Sequence, residues 1–161
     1  MPIKGYIFSY KKIYLIVGIN YVVPNPREIP IKIYDVEGFP DPARVRTALA
    51  EKGATDKVEF VSVDVMAGEH RLDAFKAKNS DAVPPCLELA DGSHISQCNA
   101  ITEYLDGHFE GPSLTGETLK ERAQISMMNS RAENGLLNAV DAYFHHATSG
   151  LGPDLETYQC A

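Results

Sequence analysis

From Ile31 onward the chain switches repeatedly between two hydrophobic periods, and each switch marks an element. IKIY (31–34) alternates apolar and polar positions and predicts a short strand. Pro42 to Lys52 changes to helical spacing, with Val45, Ala48 and Leu49 on one face. Asp41 stands where an N-cap belongs, Pro42 at the first helical position, and Gly53 just past the end. VEFVSVDV (58–65) is apolar on both alternating sets except for Glu59, Ser62 and Asp64, which predicts a strand with little solvent exposure. Leu72 to Lys78 reads as a short helix with Leu72 and Phe75 inward. CLEL (86–89), a turn at Asp91-Gly92 and HIS (94–96) predict a hairpin. Asn99 to Phe109 predicts a helix with Ala100, Ile101, Tyr104 and Leu105 on one face. Beyond a Gly-, Pro-, Ser- and Thr-rich stretch, Ile125, Met128, Ala132, Leu136, Val140 and Phe144 recur at three- and four-residue steps. That spacing predicts one long helix.

The order is β-α-β-α-β-β-α. Its first crossover implies parallel strands and its later hairpin antiparallel ones, in one mixed sheet covered by helices. The fold class expected is α/β, in the thioredoxin-like layout. It divides the chain into an N-terminal extension (1–30), a thioredoxin-like domain (31–109), a linker (110–118) and a partial helical domain (119–161). A single long helix with an apolar stripe cannot bury itself, so the last part reads as the beginning of an all-α domain. In the extension, Lys11-Lys12 precede IYLIVGINYVV, a superficial signal-peptide pattern. Asn20 interrupts it, no small-residue cleavage site follows, and it is too short to span a bilayer. It reads instead as a β-prone segment ending at Pro24-Asn25-Pro26.

Composition narrows the function classes. An apolar content of 44% with 23% charged residues is that of a globular protein, not a disordered one. A net charge of -7 argues against nucleic acid or an anionic membrane as partner. The 3 cysteines, Cys86, Cys98 and Cys160, form no C-x-x-C and no metal-ligand spacing. An odd count at irregular intervals fits a reducing, cytoplasmic setting.

The densest chemical signal runs from Asn79 to His108. A Pro-Pro pair enters a strand, and Gln97-Cys98 opens an amphipathic helix. A proline at the mouth of a strand cannot donate to the ladder, and in thioredoxin-like domains that edge reads ligands. With IYD (33–35), PARVRTALAEK (42–52), GEH (68–70), LEL and ADG (87–92), CNAITEYLD (98–106), MMNSRAE (127–133) and YFHHATSGLGPDLETYQ (143–159), the chain resembles the cytosolic glutathione transferases. It is most similar to a fungal subgroup, typified by a yeast enzyme, that lacks the usual catalytic Tyr, Ser or Cys. The family's helical domain is longer than the stretch beyond the linker here, so the resemblance also implies a C-terminal truncation.

The resemblance implies glutathione as cosubstrate, a small electrophile as second substrate, a homodimer as assembly, a role in detoxification and no metal. Gln97-Cys98 matches the motif that holds the γ-glutamyl end, and His70 the position that contacts the glycine carboxylate. Pro85 takes the cis-proline role within Ala82-Val83-Pro84-Pro85, where the family reads Gly-x-Val-Pro. Pro84 then stands where a valine normally pairs with the ligand, and it has no N–H. One hydrogen bond is lost, about 1 kcal/mol or five- to tenfold in affinity. The loop VEGFPDP (36–42) holds no Tyr, Ser or Cys to activate the thiol, and Tyr34 belongs to the packing of the strand. In the fungal subgroup a water held by residues of the helical domain takes the thiol proton, and those positions become Asp141 and His145. The alternative is a non-catalytic relative that keeps the fold and at most binds glutathione or a partner.

Overall fold

The computed structural model describes residues 31–146; the extension assigned to 1–30 and the segment 147–161 lie outside the described residues. The elements run β1 (Ile31–Asp35), α1 (Pro40–Glu51), β2 (Val58–Ser62), α2 (Asp73–Lys76), β3 (Cys86–Glu88), β4 (His94–Ser96), α3 (Cys98–His108), α4 (Leu119–Ala132) and α5 (Asn138–His146). A π-helical turn, Glu133–Leu137, joins α4 to α5. The sheet has four strands in the order β2-β1-β3-β4, with β1–β2 parallel and the other two pairs antiparallel. This is the thioredoxin-like arrangement the element order predicts, followed by a helical region.

Alternation along β1 decides the two faces. Ile31, Ile33 and Asp35 point to one side and are buried, while Lys32 and Tyr34 point to the other. On the first side Ile31, Ile33 and Leu87 meet Val45 and Leu49 of α1 and Ile101 and Leu105 of α3. Each such aliphatic side chain contributes about 1.5–3 kcal/mol when fully removed from water. On the other side Val63, Val65, Phe75 and Cys86 form a smaller cluster, flanked by Tyr34, Val36 and Phe39.

Several local expectations change. Phe39, not Asp41, is the N-cap of α1, which opens on Pro40, and no side chain caps it. Asp41 lies inside the first turn and pairs with Arg44 at 3.0 Å. The α1 C-terminus is as expected. Gly53 has φ +57, Gly53 N–H donates to Ala50 O at 3.0 Å and Ala54 N–H to Leu49 O at 2.9 Å, the paired bonds of a Schellman motif. The strand expected over 58–65 ends at Ser62 and is only half-buried, because it lies at the sheet edge. Val63 and Val65 are buried by packing beyond the strand. Leu72 is 59% exposed rather than inward, since the helix starts at Asp73 and leaves Leu72 extended as its cap. On α3, Ala100 is exposed while Ile101 and Leu105 are fully buried.

The linker is strapped to α3 by one carboxylate. Asp106 accepts from Leu114 N–H at 3.0 Å, Thr115 N–H at 2.9 Å and Thr115 Oγ1 at 2.6 Å. It also pairs with Lys52 Nζ at 2.8 Å, the two side chains being 2% and 8% exposed. Thr118 then opens α4 with a capping box: Glu121 N–H donates to its hydroxyl at 3.2 Å, and its own N–H donates to Glu121 Oε2 at 2.9 Å. No residue of α4, the π turn or α5 is buried.

Candidate functional site

The loop before β3 is shaped by a side chain that sequence reasoning passed over. Asn79 is buried; its Nδ2 donates to Val83 O at 2.6 Å, and its Oδ1 accepts from Asp81 N–H at 3.1 Å. The Asn-Ser-Asp run preceding the prolines is the local signal that could have found it, because Asn favours turns of this kind. Ala82 within the loop has φ +56, a conformation that suits the glycine of the family pattern. Pro84 and Pro85 are buried, and the bond between them is cis.

Across from that loop, Gln97 is the exposed N-cap of α3 and has φ +72. Its Nε2 donates to Asp81 Oδ2 at 3.0 Å, which brings Gln97 beside the loop that delivers Pro84-Pro85. The amide's Oε1 is an acceptor, and the first N–H groups of α3 are donors that a helix start leaves without an intrahelical partner. A carboxylate and an ammonium therefore each find a complementary group within one small area.

Cys98 faces inward. It is buried, its Sγ donates to Asp41 O at 3.4 Å, and its thiol is pushed up to about 12, chiefly by burial and then by Asp41. Cys86 is likewise raised to about 11 by burial. Both thiols are buried, unlike the partly exposed thiols of reactive cysteines. His70 is buried to 3% exposure, its Nδ1 has no hydrogen-bond partner, and burial, then Arg71, lowers its pKa. Its imidazole is held among packed residues. Tyr34 donates to Glu88 Oε2 at 2.6 Å and packs edge-on against Phe75, in keeping with a structural role.

Asp141 and His145 come together on α5, Nε2 to Oδ1 at 3.4 Å, with the imidazole 17% and the carboxylate 72% exposed. Phe144 meets the same imidazole edge-on, with centroids 5.0 Å apart. The candidate residues thus fall in three places: Gln97, Cys98 and the Pro84-Pro85 loop at one end of the sheet, His70 on the 3-10 turn Glu69–Arg71, and Asp141 with His145 on α5. Among the described residues no group of His, Cys, Asp or Glu could hold a metal ion, and no helix is long and apolar enough to cross a membrane.

Known proteins share this fold. Residues 40–108 match the N-terminal domain of the glutathione S-transferases. The chain is 53% identical over 127 residues to glutathione S-transferase 2 of Saccharomyces cerevisiae, a match covering 79% of this chain and 54% of that protein. The crystal structure of Gtt2 from Saccharomyces cerevisiae superposes with a TM-score of 0.74 at 52% identity, over 80% of this chain and 62% of that one. A glutathione S-transferase domain-containing protein from Marinobacter aquaeolei gives a TM-score of 0.76 at 75% identity, over 80% of this chain and 63% of that one. The chain thus spans about half the length of the yeast relative it matches. Its sheet topology, its Pro84-Pro85 edge and these likenesses agree, and the chain belongs to the glutathione S-transferase family, with the yeast-type subgroup as its fitting place.

Proposed function

We propose that this protein binds glutathione at the edge formed by Pro84, Pro85 and the start of α3, and conjugates its thiol to small electrophiles. The observation that supports this most is Gln97, exposed at the amino end of α3 and held at 3.0 Å by Asp81 next to the Pro84-Pro85 loop. In this reading the γ-glutamyl carboxylate takes the N–H groups at Gln97-Cys98, the ammonium takes Gln97 Oε1, and His70 serves the glycine end. Cys98 contributes its backbone, since its thiol is engaged with Asp41.

The thiol of glutathione must lose its proton to become a good nucleophile. The loop 36–39 between β1 and α1 carries no Tyr, Ser or Cys, and in keeping with the resemblance to the fungal subgroup the proton goes to His145, directly or through a water. The carboxylate of Asp141, at 3.4 Å, orients the imidazole. The thiolate sulfur then attacks the electrophilic carbon, the leaving group departs with the bonding pair, and the imidazolium returns its proton to solvent. A cytoplasmic setting and a homodimer complete the proposal.

Calorimetric titration of glutathione into the full chain, followed by turnover with an activated aryl halide, tests both steps. Saturable one-site binding and turnover are expected. His145→Ala should lower turnover about 100-fold, the ordinary worth of a general base, while glutathione still binds. Binding without turnover in the wild type would establish the alternative of a non-catalytic relative. No binding to a folded, monodisperse sample would overturn the glutathione site itself.

A further inference from the structure

One side chain touches three elements that the functional reading treats separately. Arg44, on α1, donates from Nη1 to Asp41 Oδ1 at 3.0 Å and from Nη2 to Asn99 Oδ1 at 3.0 Å. The same Nη2 reaches Glu133 Oε1 at 3.2 Å. Asn99 lies two residues after Gln97, in the first turn of α3. Glu133 is the first residue of the π turn between α4 and α5. A guanidinium is a planar fork whose donors are fixed relative to one another, so its three acceptors are fixed as well.

The place where the bridge lands gives it leverage. A π turn is in effect one residue inserted into an α-helix, and such turns concentrate at functional sites. Each α-helical residue advances the face by about 100°, so the turn rotates everything after it by about that angle. The π turn therefore sets which way α5 presents Asp141 and His145. Its own sequence, ENGLL, contains Asn134 and Gly135, both poor helix formers, so the turn gains little from propensity. No residue of the turn is buried, so packing does not hold it either.

We propose that Arg44 is a positioning residue that couples the ligand-reading start of α3 to the orientation of α5 through Asn99 and Glu133. The proposal rests on the reading of the α3 start as the glutathione site and extends it. Occupation of that site shifts the first turn of α3, and Arg44 transmits the shift to Glu133 and so to the face bearing His145. The pair with Glu133 is part-exposed on both sides, 31% and 33%, so its worth lies in placement more than in stability.

The test is nuclear magnetic resonance of the full chain with isotope-labelled histidine, titrated with glutathione. The ring signals of His146, assigned from a His146→Gln variant, report on α5 apart from the proposed base itself. In the wild type, glutathione should move them. In Glu133→Gln and Arg44→Met, calorimetric affinity should stay within about fivefold of wild type, as the loss of part-exposed ion pairs predicts. The histidine shift should be lost or fall severalfold. Arg44→Lys should not restore it, because an ammonium lacks the fork. Glu133→Gln keeps the Arg44 contacts to Asp41 and Asn99, so it stays informative should Arg44→Met unfold.

An undiminished shift in both variants, or no shift in a wild type saturated with glutathione, would overturn the coupling. Absence of turnover in a wild type whose histidine signals glutathione still moves would overturn the catalytic reading and leave the coupling standing. Should glutathione fail to bind, the functional reading falls. Asn99→Ala must then move the same histidine signals in the unliganded chain, or the bridge falls too.

Discussion

The sheet with its two long helices and the helical run after the linker are held by opposite means. In the first, Ile33, Val45, Leu49, Cys86, Leu87, Ile101 and Leu105 are all but completely removed from water. In the second, Met128, Leu136, Val140 and Tyr143 are 55%, 61%, 57% and 65% exposed. The sequence periodicity of the two regions is equally clear, yet only one of them excludes water. Apolar spacing declares that a face wants a partner; it does not supply one. The position of the long helix therefore depends on polar contacts at its ends and middle: the Asp106 strap, the Thr118–Glu121 box and the Arg44 bridge to Glu133.

The Asp106 strap is where that contrast breaks most sharply. Its carboxylate and the Lys52 ammonium are both nearly buried, and Lys52 Nζ also reaches Pro112 O at 3.0 Å. Asp106→Ala leaves a buried cation without its partner, a loss of about 3–5 kcal/mol measured by urea unfolding. Burial opposes ionisation of Asp106, but Lys52, Thr115 and Leu114 outweigh it and hold the pKa well below the usual carboxylate range. Because the folded value lies below the unfolded one, the contribution is complete above about pH 4 and is lost as pH falls through the folded value. Glu88, lowered to about 2 by Tyr34 and Lys78, loses its contribution over the same acid range. Asp106→Asn should make the stability profile below about pH 4 shallower, leaving the share of Glu88; an acid limb identical to wild type would remove Asp106 as a cause.

The core and the stripe provide the next comparison. Leu105→Ala creates a cavity in the packed face of α3 and should cost about 2–5 kcal/mol. Leu136→Ala, on a side chain 61% exposed, should stay within about 0.5 kcal/mol of wild type. Unfolding midpoints of the two variants in one dilute preparation decide it. Comparable losses would mean that the stripe is covered in solution.

What the sequence made legible was whatever depends on neighbours. Alternation in IKIY and the Asp91-Gly92 turn predict their elements, and Gly53 ends α1 as expected, because each signal lies within a few residues. The Thr118–Glu121 box was equally local and was missed, although Thr-x-x-Glu before an apolar run is its signature. The contacts that position the long helix had no such signal. Arg44 meets Asn99 across 55 residues and Glu133 across 89, while Lys52 meets Asp106 across 54. At the candidate site the Pro84-Pro85 and Gln97-Cys98 pairs stood out by type. Burial of Cys98 and His70 came from packing that no local pattern encodes. The expected inward Leu72 failed for a related reason: one residue's difference in where the helix starts turned it outward.

A smaller effect than those of Asp106 and Leu105 concerns the edge proposed to receive glutathione. Pro84 is buried and carries no backbone N–H, so this edge offers glutathione an acceptor but no donor at that residue. Replacing it with the family's valine restores the donor, and a hydrogen bond formed in exchange for water is worth about 1 kcal/mol. Pro84→Val should therefore tighten glutathione binding about five- to tenfold by calorimetry. The gain should be in affinity alone, because the added N–H meets the ligand backbone and not the sulfur. Turnover at saturating glutathione should stay within about twofold, as expected for an interaction made equally in ground and transition states. Unchanged affinity would mean that the ligand backbone does not pair at residue 84, and the docking edge would have to be drawn around Gln97 alone.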